Sequence, residues 1–187
     1  MITTRPPTAL ATLFHHKWAV PSLAVLHAAG GGSRFVTLTN KLDVNRESMK
    51  RTLEALIELG LVMRNPGYGH PMRPEYVLTS RGEQIAPACV KLWKTIRKLN
   101  VEAMALRKWA LPALGALCGA GERFGEVAEA LGPVTPRALA QALKDLQDAG
   151  VVERRLKDGA PPYAEYRVTK RGRKLAARVA SLEEAAA

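Results

Sequence analysis

The chain repeats itself, and that feature limits its fold more than any other. "HKWAVPSLAVL" at residues 16–26 returns as "RKWALPALGAL" at residues 107–117. Each copy continues through Arg-Phe, a Gly followed by two hydrophobic residues, and then "EYVLTSRG" (75–82) or "EYRVTKRG" (165–172). The offset is 91 residues from Trp18 to Trp109, 89 from Phe35 to Phe124, and 90 from Gly60 to Gly150 and from Tyr76 to Tyr166. Offsets that stay within one residue of ninety, with the slips in stretches that read as turns, mark one module duplicated and kept. Such a chain holds two similar surfaces in fixed relation. Its partner is expected to offer two similar sites, which points away from a single catalytic cleft.

Each copy spells the same order of elements. In the first, a helix starts near Pro21, where a missing N–H costs nothing in the first turn, and "GGGS" at 30–33 stops it. A short helix follows with Phe35, Leu38 and Leu42 on one face. Asn45 then caps a third helix with the stripe Met49, Leu53, Leu56 and Ile57, and Gly60 ends it. "LVMRN" and "EYVLT" flank a turn-rich loop and make a hairpin. The second copy starts near Pro112 and carries Phe124, Val127 and Leu131 on its short helix. Thr135 caps a third helix, with Pro136 at its first position and the stripe Leu139, Leu143 and Leu146; Gly150 ends it, and "VVERRL" and "EYRVT" form the hairpin. Thr79 and Thr169 cap the final helices. The fold class is mainly α with small β-wings (α+β): tandem winged helix-turn-helix domains joined by a long helix.

The stretch from Glu83 to Trp109 has no strong breaker after Pro87, and Ile85, Cys89, Leu92, Ile96 and Leu99 recur at helical spacing with Trp93 beside them. One connecting helix is therefore expected, with domains at 1–82 and 107–187 and the connector at 83–106. Its apolar stripe needs cover. Leu10, Leu13 and Phe14 near the start and Leu175, Val179 and Leu182 near the end are the natural sources. The chain is then a monomeric pseudo-dimer, or a homodimer through the connecting and terminal helices.

Charge narrows the partner. With 28 Lys and Arg against 17 Asp and Glu, the net charge is +11, shared between both halves. A pI near 10.1 on a folded protein favours a polyanion, most simply nucleic acid. An anionic membrane competes, but the chain has no apolar run of about 18 residues and no lysine-rich amphipathic tail. The first residues lack the long apolar core of an export signal, so a cytoplasmic location is expected. Cys89 and Cys118 read as small buried hydrophobes in a reducing compartment.

At this point the residues resemble the HxlR-type winged helix regulators of bacteria and archaea. The second copy carries the likeness best: Lys108-Trp109, Arg123-Phe124, Thr135-Pro136, Gly150 to Arg154, and above all Pro161-Pro162-Tyr163-Ala164-Glu165-Tyr166-Arg167-Val168-Thr169. The first copy is looser, with Pro71-Met72-Arg73-Pro74 ahead of Glu75-Tyr76. The resemblance implies winged heads that bind DNA and regulate transcription. It departs from the usual pattern in placing both heads on one chain. It also departs in lacking a cysteine before either Lys-Trp helix, where Phe14-His15-His16 and Ala105-Leu106-Arg107 stand, so thiol sensing by that route is not expected.

A recognition helix lays a polar face in the major groove, with residues near its N-terminus reaching base edges. The outward set in the first copy is Asn45, Arg46, Glu47, Lys50 and Arg51, with Glu54 beyond. In the second it is Thr135, Arg137, Ala138, Gln141 and Lys144. Arg137 suits guanine, Gln141 suits adenine, and Glu47 suits the amino group of cytosine. The bland alternative is that these are solvated helix faces; the winged context favours contact. Wing and flank candidates are Arg64, His70 and Arg73 in the first copy and Arg154, Arg155, Lys157, Arg171 and Arg173 in the second. They would contact phosphate, unless Arg154 and Arg155 are engaged by Glu153 or Glu165.

No catalytic, metal or cofactor site is legible. His15, His16, His27 and His70 have no ligand spacing, and the His15-His16 pair is expected on a helix surface. "GAGERFG" (119–125) lacks the Lys-Ser/Thr of a phosphate loop. Trp18 and Trp109 read as core. The expected function is a sequence-specific regulator, a repressor by promoter occlusion, reading an asymmetric bipartite site. An interaction scaffold and a plasmid- or phage-type replication initiator remain as alternatives.

Overall fold

The apolar Lys-Trp helices sit at the centre of each half, and the rest is built on them. A computed structural model describes residues 9–65, 74–159 and 162–186, with 9–11 as backbone alone. The first half runs α1 (Ala9–His15), α2 (Ala19–Ala28), β1 (Gly32–Arg34), α3 (Phe35–Leu42), α4 (Arg46–Glu58), β2 (Val62–Asn65), β3 (Glu75–Leu78) and α5 (Ser80–Lys98). The second runs α6 (Glu102–Ala105), α7 (Ala110–Gly119), α8 (Phe124–Leu131), α9 (Pro136–Asp148), β4 (Val152–Lys157), β5 (Tyr163–Val168) and α10 (Lys170–Ala186). Helix, helix-turn-helix, wing and helix therefore occur twice. Pro21 and Pro112 fall in the first turns of α2 and α7. Both helices are hydrophobic nearly all round, and Leu23, Leu26, Leu111 and Leu114 are buried, as befits a helix enclosed by neighbours.

The caps fall where the sequence places them. The Asn45 side chain accepts from the Ser48 N–H at 2.8 Å, and Thr135 Oγ1 accepts from the Ala138 N–H at 3.2 Å. Gly60 and Gly150 close α4 and α9 at φ +66°. A second device, read from sequence only as a cap, ties each head together. Thr79 Oγ1 accepts from the Gly82 N–H at 3.1 Å and donates to the Gly60 carbonyl at 2.7 Å. Thr169 repeats both bonds, with Gly172 at 3.1 Å and Gly150 at 3.0 Å. One threonine thus joins the end of the recognition helix to the start of the next helix, at the foot of the wing.

The sheets differ between halves. β2 and β4 pair antiparallel with β3 and β5, with Arg64 opposite Tyr76 and Arg154 opposite Tyr166. In the first half β1 adds a third strand, in the order β1-β3-β2, with Gly32 opposite Val77. That strand includes Gly32 and Ser33 of the "GGGS" stop, so the stop also carries a strand. Gly32 leaves room where a Cβ would stand 3.0 Å from the Val77 side chain. The corresponding contact in the second half is a single bridge, Arg123 to Glu165.

Three expectations need correction. The connection from Glu83 to Trp109 is not one helix. α5 stops at Lys98, Asn100 turns left-handed at φ +49°, and the Val101 N–H donates back to the Ile96 carbonyl at 3.2 Å. Asparagine tolerates that conformation, and Val101, 3% exposed, swings into the core instead of prolonging the helix. Ile57 is 39% exposed, because the buried face of α4 turns toward Thr52 and Ala55. Cys118 lies exposed at the end of α7, where the helix has run past its covered turns, whereas Cys89 is buried.

The stripe on α5 is covered within the chain. Ile85, Cys89, Leu92 and Ile96 are buried, and α5 packs between α2 of its own half and α10 of the other. Leu175, Val179 and Leu182 of α10 are fully buried. α1 crosses to α10 and α7 and brings Leu13 and Phe14 into the core; the Leu10 side chain lies outside the described residues. α5 and α10 together form a hub with one head on either side.

Candidate nucleic-acid interface

Each recognition helix buries one face and leaves the other open. On α4, Met49, Leu53 and Leu56 are at most 1% exposed, and Asn45, Arg46, Glu47, Lys50 and Arg51 face solvent. On α9, Leu139, Leu143 and Leu146 are buried, and Thr135, Arg137, Gln141 and Lys144 face out; Ala138 is half-buried at the edge of the stripe. The structure therefore gathers each outward set onto one surface. Several of these side chains are held by neighbours on their own helix. Arg51 donates to Glu47 at 3.0 Å, and Lys50 lies 4.0 Å from Glu54. Gln141 donates to Asp145 at 2.9 Å, and Lys144 to Asp148 at 2.7 Å, a carboxylate that holds the ammonium above the usual lysine value. The Arg46 guanidinium lies over the Phe35 ring, 5.3 Å from its centroid. Arg137 has no ion-pair or hydrogen-bond partner among the described residues.

The four carboxylate contacts are surface i,i+4 pairs, weak against competing water, so a stronger anion can displace them. The two faces also differ in character. Glu47 occupies the first turn of α4, where it suits the helix dipole, whereas α9 offers Arg137 at that level. The heads present unlike hydrogen-bonding edges on like scaffolds.

The wings divide the remaining candidates. Arg64, Arg154 and Arg155 project from exposed strand positions, and Lys157 is half-buried. Arg155 donates to Glu153 at 3.0 Å, and Lys157 lies 3.8 Å from Glu165. Arg64 and Arg154 have no such partner among the described residues. His70 and Arg73 lie outside the described residues. Arg171 and Arg173 are otherwise occupied: Arg171 donates to the Leu99 carbonyl at the end of α5, and Arg173 to the Val168 carbonyl at 3.1 Å. The arginine of each Arg-Phe pair is a further wing residue, beyond the candidates expected from the sequence. Arg34 lies 3.6 Å from Glu75, and the Arg123 guanidinium stacks 4.1 Å from the Tyr163 ring centroid, so both steady a wing. The duplication of Arg-Phe was the available signal.

An open cleft of about 390 Å³ lies beside the amino end of α4, lined by His15 to Trp18 and by Asn45, Ser48 and Arg51. His15 is not on an outer helix surface as expected. Its ring meets Trp109 of the other half edge-on at 5.0 Å, and its Nε2 is buried without a hydrogen-bond partner. Burial, then Lys108 and His16, push its pKa below the ordinary histidine value. Trp18 and Trp109 are half-buried against the core, with Lys17 and Lys108 over their rings at 5.1 and 5.2 Å. Among the described residues no group of His, Cys, Asp and Glu could hold a metal ion, and no helix is long and apolar enough to cross a membrane.

The model of the HxlR-like helix-turn-helix family matches the chain twice, over residues 13–103 and 105–187. The chain belongs to the HxlR-like family. It is also similar to the "Uncharacterized HTH-type transcriptional regulator YtfH" of Escherichia coli (strain K12) and to that of Shigella flexneri. Each is 31% identical over 77 residues, which cover 41% of this chain and 61% of the relative. No solved structure matches the chain. Two family matches on one polypeptide agree with the repeat of elements, and each includes one complete helix-turn-helix and wing. In this HxlR-like chain neither thiol stands beside a Lys-Trp helix start. Burial pushes Cys89 up to about 12 and leaves it inert at neutral pH, and burial also raises Cys118.

Proposed function

We propose that the chain is a sequence-specific, double-stranded DNA-binding transcriptional regulator that represses by occupying a promoter. The observation that carries this reading is the pair of open recognition helices, α4 and α9, each capped, backed by a wing and joined through the hub in one polypeptide. Arg137 and Gln141 supply bidentate edges for guanine and adenine, and Glu47 an acceptor for cytosine. Arg46, Lys50, Arg51 and Lys144 add charge beside them, with Asn45, Thr135 and Ala138 at the groove-facing amino ends. The wing cations Arg64, Arg154, Arg155 and Lys157, with His70 and Arg73, contact phosphate and set register. Because the two faces are unlike, the site is bipartite and asymmetric, its halves about one helical turn apart (roughly 34–36 Å). With the α5 stripe already covered, one chain does the work of a dimer.

The test is to incubate the purified protein with sheared genomic DNA from its source at physiological salt and to sequence the bound fragments. Sharp peaks sharing two unequal half-motifs are expected. Diffuse recovery that disappears with modest added salt would overturn the reading, since it would leave only non-specific attraction.

A further inference from the structure

The excess positive charge does not sit on the recognition helices. On α4 Arg46, Lys50 and Arg51 are balanced by Glu47, Glu54 and Glu58, and on α9 Arg137 and Lys144 by Asp145 and Asp148. It sits on the hub. The last two turns of α5 carry Lys91, Lys94, Arg97 and Lys98, all exposed. The first turns of α10 carry Lys170, Arg171, Arg173 and Lys174, with Arg178 one turn on, all exposed as well. The bond from Arg171 to the Leu99 carbonyl brings these two segments to the same end of the hub. At 1.5 Å per residue each segment is only about 10–12 Å long, so this is one dense patch. The far ends of the same helices hold Arg81 and Glu83 on α5 and Glu183 and Glu184 on α10.

Two observations make the patch more than a solvated surface. Lys91, Lys94, Arg97, Lys98, Lys174 and Arg178 have no carboxylate partner among the described residues, whereas Lys50, Arg51, Lys144 and Arg155 each have one. The cations of α10 also stand at the positive end of its dipole, with no acidic residue in the first turn, an arrangement that costs helix stability. An external anion offsets that cost. The duplication makes the placement one-sided: ninety residues on, Lys91 corresponds to Ser181 and Lys94 to Glu184, and Arg173 answers to Glu83.

We propose that this end of the hub is a third phosphate-binding surface, which holds the duplex flanking the half-site of the second head. α10 starts at the foot of that head's wing, where Thr169 fixes it to Gly150. Lys91, Lys94 and Lys98 share one exposed face and can follow a phosphate backbone. The proposal rests on the DNA-binding reading above. It adds contacts on one flank that a symmetric pair of heads would not make.

The test compares the intact chain, a Lys91→Ala/Lys94→Ala/Lys98→Ala variant and an Arg154→Ala/Arg155→Ala variant on a random-sequence 30-base-pair duplex from 50 to 200 mM salt. Alanine at exposed helix positions keeps the fold, which circular dichroism and Tm verify. The hub variant is expected to flatten the slope of log K against log salt by roughly 2 to 3, at about 0.9 per phosphate lost. On a fragment recovered from genomic selection, its hydroxyl-radical footprint should lose protection on one flank only. An unchanged slope, or loss on both flanks, overturns the hub surface while the function stands. Failure of the intact chain to bind any duplex at 50 mM salt overturns both. A slope carried wholly by the hub lysines, with none from the wing arginines, keeps the patch and overturns DNA contact by the second wing.

Discussion

Single residues hold the heads in their working geometry, and the duplicated Thr-x-x-Gly shows how. A Cβ on Gly82 would stand 2.0 Å from the Leu61 carbonyl oxygen, and one on Gly172 2.0 Å from that of Val151. In both cases the obstacle is backbone at the junction of recognition helix and wing, which cannot rotate away. Gly82→Ala and Gly172→Ala are each expected to destabilise the chain by about 1–3 kcal/mol or more, read as a lower Tm and urea midpoint. An effect under about 0.5 kcal/mol would mean that the junction relaxes freely. His15 makes a second prediction, concerning pH. Its folded pKa lies below the unfolded value, so the unfolded chain binds the extra proton. Its contribution is fully present above about pH 6.5 and is lost as pH falls toward the folded pKa. Tm should therefore drop more steeply below pH 6.5 in the native chain than in His15→Gln, whose amide does not titrate. Parallel curves would show that the Trp109 contact tolerates imidazolium.

Elements were legible where a cap or a period announced them. Asn45, Thr135, Gly60 and Gly150 mark both recognition helices because each solves a local problem of unmet hydrogen bonds or of left-handed backbone. β1 was not legible, since three residues after a glycine pair have no period, and they become a strand only because β3 lies beside them. Nor was the end of α5. The apolar spacing carries on to Leu99, and only tertiary burial of Val101 decides that the chain turns at Asn100. Of the candidate interface, the outward faces of α4 and α9 could be read from period alone. The engagement of Arg171 with Leu99 could not, because it joins residues 72 apart in sequence. The helix end gives a prediction of its own. At φ +49° Asn100→Gly should leave Tm nearly unchanged, while Asn100→Ala should cost about 1–2 kcal/mol. If alanine is neutral, α5 simply runs on into the next turn, and the hub end is not fixed by that residue.

At the scale of the molecule, duplication within one chain changes what selection can do to an interface. In a homodimer every substitution appears twice, so both heads must read the same half-site and the site tends to a palindrome. Here α4 and α9 have diverged, with Glu47 where α9 has Arg137, and the patch on the hub has no counterpart ninety residues away. The stripe that an unduplicated chain would have to cover with a second copy is buried between α2 and α10. Two linked outcomes follow from the proposed function. Light scattering should give a mass near the 20.3 kDa of one chain, and titration should give one chain per bipartite site. Making that site palindromic by copying either half should then weaken binding, by about 1–3 kcal/mol for each base pair that no longer suits its head. A mass of two chains with tighter binding to a palindrome would mean that the heads pair between molecules, and that the difference between Glu47 and Arg137 is not read.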